Sequence, residues 1–213
     1  TVIVTEWLDS ESSLAQVIKD GTPEERNHYG ELLVRFMFAG PSRTGMLHAD
    51  PHPGNFRVIP NDDGTPGRLG VLDYGAVARL EEGNLPRAMG SLIRLCALGD
   101  GEQLMAGLRR EGFIKDKIKL DPTLLMDYLS PFVEPTMVER FQFNRAWMRE
   151  QFARINNPRE PTYTIAIKLN LPPSYMLIHR TWIGGIGVLS QLEAEAPFHD
   201  ILTEFLPGFA DED

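Results

Sequence analysis

The segment His48-Ala49-Asp50-Pro51-His52-Pro53-Gly54-Asn55 constrains this chain more than any other stretch. Asp-Pro and Pro-Gly-Asn are turn formers, so these residues read as a loop dense in polar side chains. A short apolar run, Phe56-Arg57-Val58-Ile59, follows, and Asn61-Asp62-Asp63-Gly64-Thr65-Pro66-Gly67 then reads as a turn. Leu69 to Leu72 form a second run that ends in Asp73-Tyr74-Gly75. Two apolar runs joined by a turn predict a β-hairpin flanked by two polar loops. Such a hairpin returns Asp73 to the edge from which Asn55 departs, so Asp50, Asn55 and Asp73 are expected to converge.

Helical patterns enclose this region. Ser13 to Lys19 is predicted as a helix ended by Gly21. Thr22-Pro23-Glu24-Glu25 is a helix-start signal: a capping hydroxyl, Pro at the first position, then a carboxylate three residues after the cap. The helix it opens is predicted to run to about Ala39, with Tyr29, Leu32, Leu33, Phe36 and Met37 at helical spacing. Beyond Asn84, helices are predicted near 86–99, 101–111, 122–130, 136–155, 173–192 and 198–206. Thr1 to Thr5 reads as a strand, Glu6 to Ser10 as a polar connector, and Asp211-Glu212-Asp213 as a frayed tail. The predicted fold class is a mainly helical α+β.

Composition narrows the function classes. A net charge of −9, with Lys and Arg scattered, argues against nucleic acid as a partner, because an acidic surface repels phosphate backbones. The single cysteine, Cys96, cannot form an internal disulfide, which fits a reducing compartment; within Leu92 to Leu98 it reads as core. No stretch approaches the ~18–20 apolar residues that span a bilayer. His28, His179 and His199 have no spaced partners and read as structural or surface residues. Trp147, Phe152 and Ile155 form a stripe on the predicted 136–155 helix, suited to core or interlobe packing, with a membrane or partner surface as the alternative. Gly184, Gly185 and Gly187 lack the preceding strand of a phosphate loop and read as close packing or a helix break.

The convergent cluster carries the chemistry. Mg²⁺ prefers oxygen ligands and typically takes one or two protein carboxylates alongside phosphate oxygens. Asn55 and Asp73 supply such oxygens, which leaves Asp50 to orient or deprotonate an attacking hydroxyl or water. Protein kinases divide the labour this way: a catalytic-loop Asp, an Asn five residues later, and an Asp at the end of a returning strand. A reading of these segments as turns alone leaves the second Asp-aromatic-Gly unexplained.

His48 to Asn55 together with Leu72-Asp73-Tyr74-Gly75 resembles the UbiB/ADCK family of atypical kinases, and Thr5-Glu6-Trp7-Leu8-Asp9-Ser10 is similar to that family's hinge. The resemblance is specific over residues 1–80. It implies a protein-kinase-like C-terminal lobe over 1–213, with a hinge at 1–10, catalytic and metal-binding loops at 46–80 and a helical subdomain at 84–210. It implies Asp50 as the catalytic-loop Asp, His48 as its bracing neighbour, and Asn55 and Asp73 as holders of Mg²⁺. Backbone groups of Glu6, Trp7 and Leu8 would meet the adenine of ATP. His52 falls where many protein kinases place a phosphate-contacting Lys; a neutral His there is a weaker electrostatic partner whose charge depends on pH. The chain departs from the family at Ser10, often Gly, at Tyr74, usually Phe, and at Arg57, where related kinases place an apolar side chain under the adenine.

About ten residues separate Gly75 from the helix near Pro86, too few for a long activation segment, and no Ala-Pro-Glu-like anchor follows. A small-molecule or lipid substrate, or ATP hydrolysis coupled to conformational change, therefore fits better than a peptide substrate. The resemblance further implies a role near isoprenoid quinone biosynthesis, a cytoplasmic place with optional peripheral membrane contact, and an N-terminal lobe of the same protein as a partner. Two alternatives stand beside it. One is a small-molecule phosphotransferase of the aminoglycoside or choline kinase kind, whose loop also reads His-x-Asp-x-His-x-x-Asn. The other is a non-catalytic pseudokinase module.

Overall fold

The computed structural model describes Val4 and residues 6–210. The strand expected over Thr1–Thr5 lies outside the described residues except for Val4, which is not in a strand; the acidic tail lies outside them too. In chain order the elements are β1 (Ser12–Ser13), α1 (Leu14–Asp20), α2 (Pro23–Thr44), β2 (Met46–His48), β3 (Phe56–Ile59), β4 (Arg68–Val71) and β5 (Val77–Arg79). There follow α3 (Arg87–Ala97), α4 (Gly101–Arg110), α5 (Pro122–Val133), β6 (Phe141–Gln142), α6 (Arg145–Asn156), α7 (Tyr163–Ala166), α8 (Met176–Leu192), β7 (Glu195–Ala196) and α9 (Phe198–Phe205). The architecture is mainly helical α+β, as the sequence predicts.

Local signals set the helix ends. The Ser13 hydroxyl accepts from the Gln16 amide to start α1, and the Gly21 amide closes it on the Val17 carbonyl. At α2 the capping box is complete: Glu25 N–H donates to Thr22 Oγ1 at 3.2 Å, and Thr22 N–H donates to Glu25 Oε2 at 2.7 Å. The helix outruns its predicted end at Ala39 and continues to Thr44 despite Pro41. Gly45, at a φ of 69°, stops it in the left-handed conformation that glycine adopts without strain. α2 is the central helix, packed against α8, α9, β2, β4 and β7.

The predicted hairpin is β3–β4, paired antiparallel with Phe56 opposite Val71 and Ile59 opposite Arg68. β1 adds a third strand beside β3. β2 and β5 form a separate antiparallel pair, His48 opposite Val77, that clamps the two ends of the segment together.

The single helix predicted over 136–155 is corrected. After a 3₁₀ turn at Glu134–Thr136, the chain extends as β6 along β7, and α6 begins only at Arg145 under an Asn144 cap. The cause is an alternation of period two: Phe141 and Phe143 point the same way, Phe143 wholly buried against the Phe198 and Trp147 rings. Trp147 joins this cluster, whereas Phe152 is half exposed. α8 passes unbroken through its three glycines. Their role is close packing, with Gly184 against Pro51 and Gly185 against Met37.

Two apolar clusters result. The larger surrounds α2, α8 and α9 and reaches β2 and β3. The smaller gathers α3, α4 and α5 around Leu104, Leu108, Ile114, Leu125 and Ile165.

Candidate functional site

The hairpin and the β2–β5 clamp tie the loop that holds Asp50 and Asn55 to the backbone around Asp73. Asn55 Nδ2 donates to Asp50 Oδ2 at 2.9 Å and to the Asp50 carbonyl at 3.2 Å, so one amide fixes both the carboxylate and the backbone of the loop. The Asn55 carbonyl accepts from Leu72 N–H at 2.9 Å, which holds the residue before Asp73 against the same loop. From the other side, His48 Nε2 lies 2.5 Å from the Asp73 carbonyl, and Ala49 N–H donates to the Ala76 carbonyl at 2.7 Å.

His48 is buried, with its ring edge-on to Phe36 and Tyr74 and tilted against Phe56. A carbonyl can only accept, so Nε2 carries the proton. Nδ1 is shut from solvent and has no hydrogen-bond partner among the described residues. This geometry braces the two loops against each other and leaves His48 no contact for proton transfer.

His52 is turned onto its own loop, where Nδ1 accepts from Gly54 N–H at 3.1 Å as the cap of the 3₁₀ turn Pro53–Asn55. Its remaining nitrogen faces outward on an exposed residue. The hinge residues are tied to the hairpin. Leu8 lies so close over β4 that a Cβ on Gly70 would come within 2.5 Å of its Cδ2, while Glu6 and Trp7 are exposed. Arg57 Nε donates to Ser10 Oγ at 2.9 Å, so this departure from the expected apolar residue ties the hinge to β3.

The oxygen inventory fits a hard cation. Asn55 spends its NH₂ on Asp50, which leaves Oδ1 as a free acceptor. Asp73 spends Oδ1 on Gly75 N–H at 2.7 Å, which leaves its second oxygen open. Among the described residues no group of three or more His, Cys, Asp and Glu side chains forms a complete metal cage. One amide and one carboxylate suit a metal whose other ligands come from phosphate and water.

One basic residue escaped the sequence reading. Arg180 of α8 places a guanidinium nitrogen 3.9 Å from Asp50 Oδ1. No local pattern marks it; its position follows from Gly184, one turn on, lying against Pro51 so closely that a Cβ would come within 2.7 Å of the ring. Arg180 and Gly184 share the face of α8 that meets the catalytic loop.

Residues 1–106 match the sequence model of the ABC1 atypical kinase-like domain. An uncharacterized protein of Synechocystis sp., slr0889, is 36% identical over 84 residues, which are 37% of this chain and 19% of that protein. The solved structure of the Rv3197–erythromycin complex from Mycobacterium tuberculosis shares the fold with a TM-score of 0.83 and 31% identity, over 97% of this chain and 50% of that one. The chain thus spans half or less of the length of both relatives. Residues 1–106 thus belong to the ABC1 atypical kinase-like family, and the fold is shared beyond them.

Proposed function

We propose that the loops at 46–80 bind a magnesium nucleotide, and that the protein uses ATP as a phosphotransferase or ATPase acting on a small molecule or lipid. The observation that carries this reading is the double hydrogen bond from Asn55 to Asp50, which leaves Asn55 Oδ1 free as a ligand, with a second ligand available in the Asp73 oxygen that Gly75 N–H does not use. Mg²⁺ bound there would neutralise charge on the phosphate tail and fix its orientation.

The residues divide the remaining work. Asp50, held by Asn55 on one oxygen, orients an attacking hydroxyl or water. Arg180, next to its other oxygen, limits the swing of the carboxylate and offers a cation for an incoming anionic group. His48 ties the backbone of Asp73 to the strand that leads into the Asp50 loop. Leu8 and the backbone of Glu6 to Leu8, seated on β4, would form one wall for the adenine.

The short link from Gly75 to α3 supports a non-peptide acceptor. Val77–Arg79 is used up in pairing with β2, and a turn leads directly into α3, so no segment remains to seat a peptide. A link to quinone biosynthesis belongs to this proposal by family alone. Calorimetric titration of the full-length protein with MgATP tests the reading. Saturable binding that needs Mg²⁺, weakened at least tenfold in Asp73→Asn, supports it. Equal binding by wild type and variant, or none by either, refutes it and favours the pseudokinase reading.

A further inference from the structure

The two apolar clusters keep distinct sets of buried residues and meet at Phe113, which packs against both. Between them lies a cavity of about 340 Å³, walled by α3, α4, α5, α7 and α8. Protein cores normally close to the density of organic crystals, so an apolar cleft of this size between two clusters is unusual unless something occupies it. Its volume falls inside the range of about 300–1,000 Å³ typical of small-molecule sites.

The walls specify the chemistry. The floor includes Leu104 and Leu108 from the smaller cluster, and Ile178 and Trp182 come from the larger. Among the described residues no Asp, Glu, Lys or Arg side chain lines it. The titratable groups that do, Cys96, Tyr128, Tyr175 and His179, are all held toward their neutral forms. Burial is the leading cause in each: it pushes the Cys96 thiol up to about 11, raises both tyrosines and lowers His179. Apolar cavities of this kind stay dry and accept apolar guests.

Access is narrow. Of the lining residues only Asn170, Leu171 and His179 are exposed, which sets the mouth between the end of α7 and the start of α8. His179 makes no hydrogen bond within the described residues, and so it can meet a polar head at the mouth. Ile178 and Trp182 face the cavity, while Arg180 and Gly184 face the catalytic loop, so one helix separates the two sites.

We infer that this cavity is a binding site for a neutral, largely hydrocarbon small molecule whose polar end sits between Asn170 and His179. The inference is independent of the nucleotide reading, and its test contains no nucleotide.

The probe is N-phenyl-1-naphthylamine, neutral and fluorescent in apolar surroundings, titrated into the full-length protein. Saturable uptake at one site is expected. Ala166→Trp, which puts an indole into the half-buried wall, is expected to weaken uptake at least tenfold. A second measurement needs no variant: saturating probe is expected to slow alkylation of Cys96 by N-ethylmaleimide at least fivefold, read by peptide mass spectrometry. Uptake that never saturates, uptake unaltered in a folded Ala166→Trp, or a Cys96 rate untouched by the probe overturns the inference.

Discussion

Replacing Asn55 by Asp probes the hinge point of the site. In the wild type, Asn55 Nδ2 sits 2.9 Å from Asp50 Oδ2 as a donor. Asn55→Asp exchanges that donor for a second carboxylate at the same place. Two unit charges at this separation repel by about 1.4 kcal/mol in a medium like bulk water and by about 6 kcal/mol at an effective dielectric near 20. The Asp50 side chain is 38% exposed and the loop can relax, so the net loss is expected near the lower part of that range, about 2–3 kcal/mol. For a domain of this size each kcal/mol moves Tm by about 2–4 °C, which gives a drop of about 4–12 °C at pH 7. The sign with pH follows from the charge. In acid the two carboxyls share a proton and the penalty is small; it grows as pH rises and both ionise. Thermal melts of wild type and variant across pH 4–8, with and without Mg²⁺, read this directly. Mg²⁺ is expected to recover part of the loss, since a cation between two carboxylates removes their repulsion. A Tm difference that is flat with pH, or untouched by Mg²⁺, refutes the reasoning.

Other perturbations test other links. Gly90→Ala puts a Cβ 2.2 Å from the Pro207 carbonyl oxygen and 2.5 Å from the Phe209 nitrogen, both backbone atoms that cannot step aside; a loss of about 1–3 kcal/mol is expected in urea unfolding. Gly185→Ala meets only the flexible end of Met37 and is expected to cost less. Thr22→Ala removes one half of the capping box of α2 and is expected to cost about 1 kcal/mol in the same assay. Cys96 keeps its proton in the fold up to about 11, where an ordinary thiol ionises near 9.0. The unfolded chain therefore releases that proton first, and the Cys96 contribution, complete below about 9, is lost as pH rises toward 11; Cys96→Ala is expected to flatten the stability profile over that window.

The hairpin and its loops were legible because their signals are local. Asn61 to Gly67 is a turn by composition, so the antiparallel pairing of the two strands it joins, one following Asn55 and one leading to Asp73, follows from the residues alone. The start of α2 was equally plain in Thr22-Pro23-Glu24-Glu25. The hidden parts depend on contacts distant in sequence. β1 exists because Ser12 and Ser13 lie beside Val58 and Arg57, and nothing in Ser-Ser announces a strand. The 136–155 helix was misjudged because Phe143 answers to the Phe198 ring, more than fifty residues later, and to pairing with β7. Arg180 was missed for the same reason: its neighbour Asp50 is found through the fit of Gly184 on Pro51. The cavity has no linear signature, since five elements each contribute a few ordinary apolar residues.

The central claim is that Asn55 and Asp73 share one cation with a nucleotide tail. Anomalous diffraction from crystals of the full-length protein grown with Mn²⁺ and a non-hydrolysable ATP analogue addresses it most directly. The account predicts a manganese peak at about 2.1 Å from Asn55 Oδ1 and from an Asp73 oxygen, with phosphate oxygens completing the shell. A nucleotide bound elsewhere, or manganese that contacts neither residue, would contradict it.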